Sequence, residues 1–125
     1  MKIVTGTDIV EIKRIQKDIE QLGERFLNKI YTKNEIEYCE SKKMQKFQSY
    51  AARFAAKEAL YKALSSRINF NYTWKDFEVL NQEGGRPYVK LHFEIKDLET
   101  IEISLSHCKE YAVANVVVYL PWGRS

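Results

Sequence analysis

Two cysteines, two histidines and two prolines in 125 residues exclude several kinds of protein. Cys39 and Cys108 form no CxxC pair and stand beside no cluster of histidines, so zinc is not expected. The thiols read as buried or neutral groups in a reducing compartment; a disulfide remains open to them, though nothing in the spacing asks for one. No apolar run is long enough to cross a membrane, and that of "MKIVTGTDIV" is too short for a signal peptide, which makes the cytosol the expected compartment. The absence of a GxxxxGK[ST] loop and of a GxGxxG turn disfavours a P-loop nucleotidase and a dinucleotide-binding unit. No repeat, low-complexity tract or linker divides the chain, and its length suits one domain, residues 1–125.

What is present describes a soluble globule: 45% hydrophobic and 30% charged residues, with a net charge of +3. The charge is unevenly placed. Through Lys62 there are thirteen basic against nine acidic residues, and beyond it seven against eight. The basic excess lies in the first half and suits an acidic partner, although a solvated lysine face gives the same imbalance.

The pattern predicts helices first and strands later. "KIVTGTDIVEI" is β-branched and apolar, a strand interrupted at Gly6 where the backbone bends or another element comes close. "KRIQKDIEQL" has Ile15, Ile19 and Leu22 at helical spacing, with Gly23 as its stop. "ERFLNKIY" reads as a short second helix, and "TKNE" from Thr32 to Glu35 matches a capping box that starts a third. A long alanine-rich helix runs from about Met44 to Leu64, followed by the loop "SSRINFNYT". "FEVLN" and "YVKLHFEI" are strands around "QEGGRP", and "EISLSH" and "YAVANVVVYL" are strands joined by a tight turn at "CKE". The expected architecture is α+β, with an N-terminal strand and helices packed on an antiparallel meander.

The alanine-rich helix poses the chemical question, because "RFAAKEALYKAL" carries Lys57, Glu58 and Lys62 among residues suited to close packing. At about 100° per residue, Ala52, Ala56, Ala59 and Ala63 share one side, while Glu58 and Lys62 stand one turn apart elsewhere. On pattern alone the latter are an i,i+4 surface pair worth about 0.3–0.5 kcal/mol. Asp8 near the glycine of the first strand, and Ser104, Ser106 and His107 at a strand end, are the other polar groups set against apolar elements. Each also has a plain structural role, as an Asx turn, an exposed strand face or a local hydrogen bonder. Brought together, two carboxylates with a lysine beside them form a hard oxygen site fit for Mg²⁺ and a phosphate, which suits phosphoryl chemistry.

In order and spacing, "GTDIVEI", "RFAAKEALYKAL", "GGRPYV" and "SLSHCKEYAVANVVV" resemble the holo-acyl-carrier-protein synthases, the short trimeric class of 4′-phosphopantetheinyl transferases. The resemblance covers nearly the whole chain. It implies that fold, a homotrimer with coenzyme A in a cleft between subunits, and a role in fatty acid biosynthesis. The implied reaction is Mg²⁺-dependent transfer of 4′-phosphopantetheine from coenzyme A to a serine hydroxyl of apo acyl carrier protein, releasing adenosine 3′,5′-bisphosphate. By the same resemblance Asp8 and Glu58 are the metal ligands, Glu58 also serves as base, and Lys62 acts beside the pyrophosphate. Ser106 and His107 are implied coenzyme A contacts, with Arg53, Lys62, Arg86 and Pro87 in the same nucleotide site. The acidic carrier is expected to dock on Lys13, Arg14 and Lys17, with Arg25 and Phe26 following. Lys42, Lys43 and Lys46 either reach the 3′-phosphate or solvate a loop. The competing expectation is a non-catalytic nucleic-acid-binding module using the basic half with Phe47 and Tyr50. It accounts for the charge but not for Asp8, Glu58 or the SxSH strand end.

Overall fold

The computed structural model describes residues 2–121; Met1 and residues 122–125 of the expected domain lie outside them. The chain runs β1 (Lys2–Glu11), α1 (Ile12–Leu22), α2 (Glu24–Ile30), α3 (Lys33–Ser41), α4 (Lys46–Leu64), β2 (Phe77–Asn81), β3 (Pro87–Leu91), β4 (Thr100–His107) and β5 (Tyr111–Leu120). Short 3-10 turns lie at Lys43–Gln45, Ser65–Arg67 and Trp74–Asp76. This is the expected α+β arrangement of antiparallel strands with helices packed on them.

Local signals place the element ends. Gly23 closes α1 at φ 58°, which its missing Cβ permits, and its N–H reaches the Ile19 carbonyl at 2.8 Å. At α3 the capping box forms as predicted: the Glu35 N–H donates to Thr32 Oγ1 at 3.2 Å, and the Thr32 N–H donates to Glu35 Oε1 at 2.8 Å.

The strands divide between two sheets. β2 and β3 form a hairpin, while β1, β5 and β4 form a three-stranded antiparallel sheet with β5 in the centre. β1 therefore closes onto the last strand, with Asp8 opposite Ala114 and Gly6 opposite Val116. β5 buries Ala112, Ala114, Val116, Val118 and Leu120 on one face, as strand alternation dictates. The predicted strand "YVKLHFEI" stops at Leu91, because the His92 N–H bonds the Asp76 carbonyl and Phe93 turns into an aromatic cluster with Phe70, Tyr72 and Phe77. Of the cysteines, Cys39 is buried, which pushes its thiol up to about 11 and keeps it neutral. Cys108 is exposed in the β4–β5 turn, where backbone N–H groups of Glu110 and Tyr111 lower its thiol instead.

α4 lies across the sheet and is enclosed on nearly every side from Tyr50 to Lys57. Ala51 and Ala55 are as fully buried as the Ala56 and Ala59 stripe. A helix surrounded this way needs small residues wherever another backbone comes near. At Gly6 the approach is closest: a Cβ there would sit 2.0 Å from the Ala59 carbonyl oxygen. Gly6, expected to interrupt the strand, lies within a continuous β1 and is required for its contact with α4.

Candidate active site

The close approach of β1 to α4 brings Asp8 beside Glu58 and Lys62. Lys62 Nζ donates to Asp8 Oδ1 at 2.9 Å and to the Thr7 carbonyl at 2.9 Å. The lysine expected to pair with Glu58 along the helix pairs with the strand instead. Burial, then the negative charge of Asp8, pushes the Glu58 carboxyl above its ordinary value, while Lys62 and Arg14 pull it back. Asp8 and the half-exposed Lys62 face solvent, so a ligand can reach the cluster. The two carboxylates suit a small hard cation, which is held by one or two carboxylates together with substrate oxygens and water. No group of three His, Cys, Asp or Glu side chains that could hold a metal occurs among the described residues, so a cation here needs oxygens from elsewhere.

Arg53 leaves α4 about 140° round the axis from Glu58 and builds a second site. Only 3% exposed, its guanidinium lies 4.2 Å from the Tyr38 ring centroid and donates to Asn81 Oδ1 and, at 3.4 Å, to Ser49 Oγ. Its Nε has no partner. A cleft of about 280 Å³ opens there, with Lys42, Arg53, Asn81, Pro87 and His107 in its walls. Asn81 Nδ2 donates to the Gly85 carbonyl at 2.8 Å and so holds the "GGRP" turn against the cleft.

Arg53, Pro87 and His107 thus meet in one cleft. Arg86 does not join them, since its exposed guanidinium pairs with Glu102 at 3.4 Å. Ser106 belongs to the opposite face of β4 from His107, because neighbouring strand residues alternate. Lys42 reaches the cleft and lies 4.8 Å from the Tyr38 ring centroid, whereas Lys46 pairs with Glu40. The sequence reading missed Tyr38, Ser49 and Asn81. Ser49 and Arg53 stand at i,i+4, the one local signal available; contact with Asn81 comes only from the fold.

The Asp8–Glu58–Lys62 cluster and the Arg53 cleft sit on different sides of α4 within one chain. Lys57 belongs to neither charged cluster: fully buried, it pairs with Glu35 at 2.8 Å. On α1, Ile12 and Ile15 are buried while Lys13, Arg14 and Lys17 are exposed; Arg25 on α2 is exposed and Phe26 half-buried. Tyr50, offered as a nucleic-acid contact, is fully buried, and its hydroxyl donates to Glu40 at 2.6 Å.

The model of the 4′-phosphopantetheinyl transferase superfamily matches residues 5–116. The holo-[acyl-carrier-protein] synthase of Ruminiclostridium cellulolyticum is 48% identical over 126 residues, covering 96% of this chain and 94% of that protein. The synthase of the same name from Koribacter versatilis is 43% identical, covering 94% and 98%. Among solved structures, the Helicobacter pylori holo-[acyl-carrier-protein] synthase in complex with coenzyme A superposes with a TM-score of 0.80 at 32% identity, covering 92% of this chain and 99% of that one. The Bacillus anthracis synthase, in complex with coenzyme A (3′,5′-ADP), gives 0.76 at 34%, covering 92% and 94%. Fold, site and relatives define an α+β enzyme of the transferase class. The chain belongs to the 4′-phosphopantetheinyl transferase superfamily, and its resemblance to the holo-acyl-carrier-protein synthases is borne out.

Proposed function

We propose that the protein is one transferase domain that moves 4′-phosphopantetheine from coenzyme A to a serine hydroxyl of an apo acyl carrier protein, in the cytoplasm and in service of fatty acid biosynthesis. The observation that carries the reading is the meeting of Asp8, Glu58 and Lys62 at one accessible point. Asp8 and Glu58 would hold Mg²⁺, whose charge when bound neutralises the pyrophosphate. Glu58 accepts the serine proton, directly or through water. The serine oxygen bonds to the phosphorus bearing the pantetheine arm as the bond to the bridging oxygen breaks, and adenosine 3′,5′-bisphosphate leaves. Lys62, with its ammonium on the open side of the cluster, offsets charge on that leaving oxygen.

The Arg53 cleft suits the nucleotide end: Lys42, His107 and the unpartnered Arg53 Nε supply donors for a phosphate. Pro87 shapes its wall. Because the two clusters occupy separate sides of α4, the reading requires a neighbouring subunit to bring one to the other. The outward face of the sheet supports a homotrimer, with Ile3 53% and Ile9 63% exposed beside half-buried Val113, Val117 and Tyr119. Lys13, Arg14, Lys17 and Arg25, with Phe26, form the docking surface for the acidic carrier. No helix of the described residues is long and apolar enough to cross a membrane.

Asp8→Asn and Glu58→Gln test the assignment. Each is expected to abolish Mg²⁺-dependent transfer while size-exclusion chromatography still shows the wild-type assembly. Near-normal turnover by either variant would remove the metal assignment.

A further inference from the structure

A cavity of about 330 Å³ adjoins the Asp8–Glu58–Lys62 cluster at Glu58. One wall is α4, through Lys57, Glu58 and Tyr61; the other is the segment carrying Tyr72, Trp74 and Phe77. Lys57 ties the walls together. Its buried ammonium donates to the Trp74 carbonyl at 3.0 Å and the Phe77 carbonyl at 2.6 Å, and pairs with Glu35 Oε1 at 2.8 Å. All three of its donors are thereby engaged. Glu35 is itself fixed by the Thr32 N–H at 2.8 Å and the Val79 N–H at 2.8 Å, so the anchor extends to α3 and β2.

A buried ion pair is a poor device for stability alone, since removing both charges from water offsets much of their attraction. What this one supplies is geometry. Two backbone carbonyls of the aromatic wall are held at fixed distance from the helix residue that precedes Glu58. We propose that Lys57 is a positioning residue that sets the width of this cavity, and that the cavity holds the uncharged arm of the substrate while its phosphates lie at Asp8, Glu58 and Lys62. The lining fits such a chain: aromatic faces from Tyr61, Tyr72, Trp74 and Phe77 take its methylenes. This inference rests on the transfer reaction proposed above and adds a residue that touches no reacting atom.

The test compares wild type with Glu35→Gln, Lys57→Met/Glu35→Gln and Lys57→Gln. It measures thermal unfolding, kcat and KM for coenzyme A, and inhibition by adenosine 3′,5′-bisphosphate, which lacks the arm. Glu35→Gln loses the ion pair but keeps both carbonyl contacts, so its KM is expected within about twofold of wild type even if its Tm falls. Both Lys57 variants are expected to raise KM about tenfold or more, with a smaller effect on kcat and no change in the inhibition constant of the bisphosphate. Folded Lys57 variants with wild-type KM would overturn the inference, as would a parallel rise in the inhibition constant or an equal rise in Glu35→Gln. Loss of folding in both Lys57 variants would assign the residue to stability and overturn it too. Transfer by the wild-type enzyme in the same assay separates these results from a failure of the proposed reaction.

Discussion

Gly6→Ala probes the contact on which the candidate active site is built. A Cβ at Gly6 would stand 2.0 Å from the Ala59 carbonyl oxygen and 2.9 Å from its carbonyl carbon, and side-chain carbons do not settle below 3.0 Å. The obstacle is backbone on both sides, so no rotamer relieves it, and β1 and α4 must part by roughly 1 Å. Overpacking of this kind costs about 1–3 kcal/mol, which for a domain of this size lowers Tm by about 5–15 °C. The catalytic effect is expected to be larger. Asp8 lies two residues from Gly6 and Glu58 adjoins Ala59, so the same displacement separates the two carboxylates, and a misplacement of about 1 Å costs on the order of 100-fold in rate. Thermal unfolding by circular dichroism and the initial rate of carrier modification measure both. Gly84→Ala is the control, since a Cβ there meets nothing within 4 Å and should change neither quantity. A Gly6→Ala protein with wild-type Tm and rate would refute the close packing of β1 on α4.

Glu58 titrates above its ordinary value in the folded chain, so the folded state holds its proton more tightly than the unfolded one. Its contribution to stability is therefore full below the unfolded value near 4.5 and is lost as pH rises through the raised folded value. Glu58→Gln is accordingly expected to melt above wild type at neutral pH and level with it near pH 4, a difference read from paired melting curves; equal melting at both would contradict the burial argument. Ile9→Asp, on the exposed sheet face, is expected to yield a folded monomer without transfer activity by light scattering and mass spectrometry. An active Ile9→Asp monomer would show that one chain holds the whole site. Lys13→Glu/Lys17→Glu is expected to raise KM for the carrier about tenfold and flatten its salt dependence, with KM for coenzyme A unchanged. An unaltered carrier KM would move docking away from α1.

Short-range chemistry was the legible part of the sequence. The Thr32–Glu35 capping box, the Gly23 stop and the turn at Cys108–Glu110 depend on residues within a few positions of one another, and all formed. Gly6 could be singled out because a glycine in a β-branched strand has few other uses, though not which backbone it admitted. Asp8, Glu58 and Lys62 were found by resemblance of motifs; spacing alone made Glu58 and Lys62 a helix pair, and the structure gives Lys62 to Asp8. Long-range pairing was not legible. Nothing local says that β1 pairs with β5, that Phe93 leaves the strand pattern for an aromatic cluster, or that Lys57 meets Glu35 from another helix. Asn81 looks like an ordinary turn residue until Arg53 reaches it.

The central claim is tested most directly by intact-mass spectrometry of an apo acyl carrier protein incubated with this protein, coenzyme A and Mg²⁺, beside an identical sample containing EDTA. The expected result is a mass gain of one phosphopantetheine that disappears with EDTA. No gain with several apo carriers, or a gain indifferent to EDTA, would contradict the account: the first would remove the reaction, and the second the cation from Asp8 and Glu58.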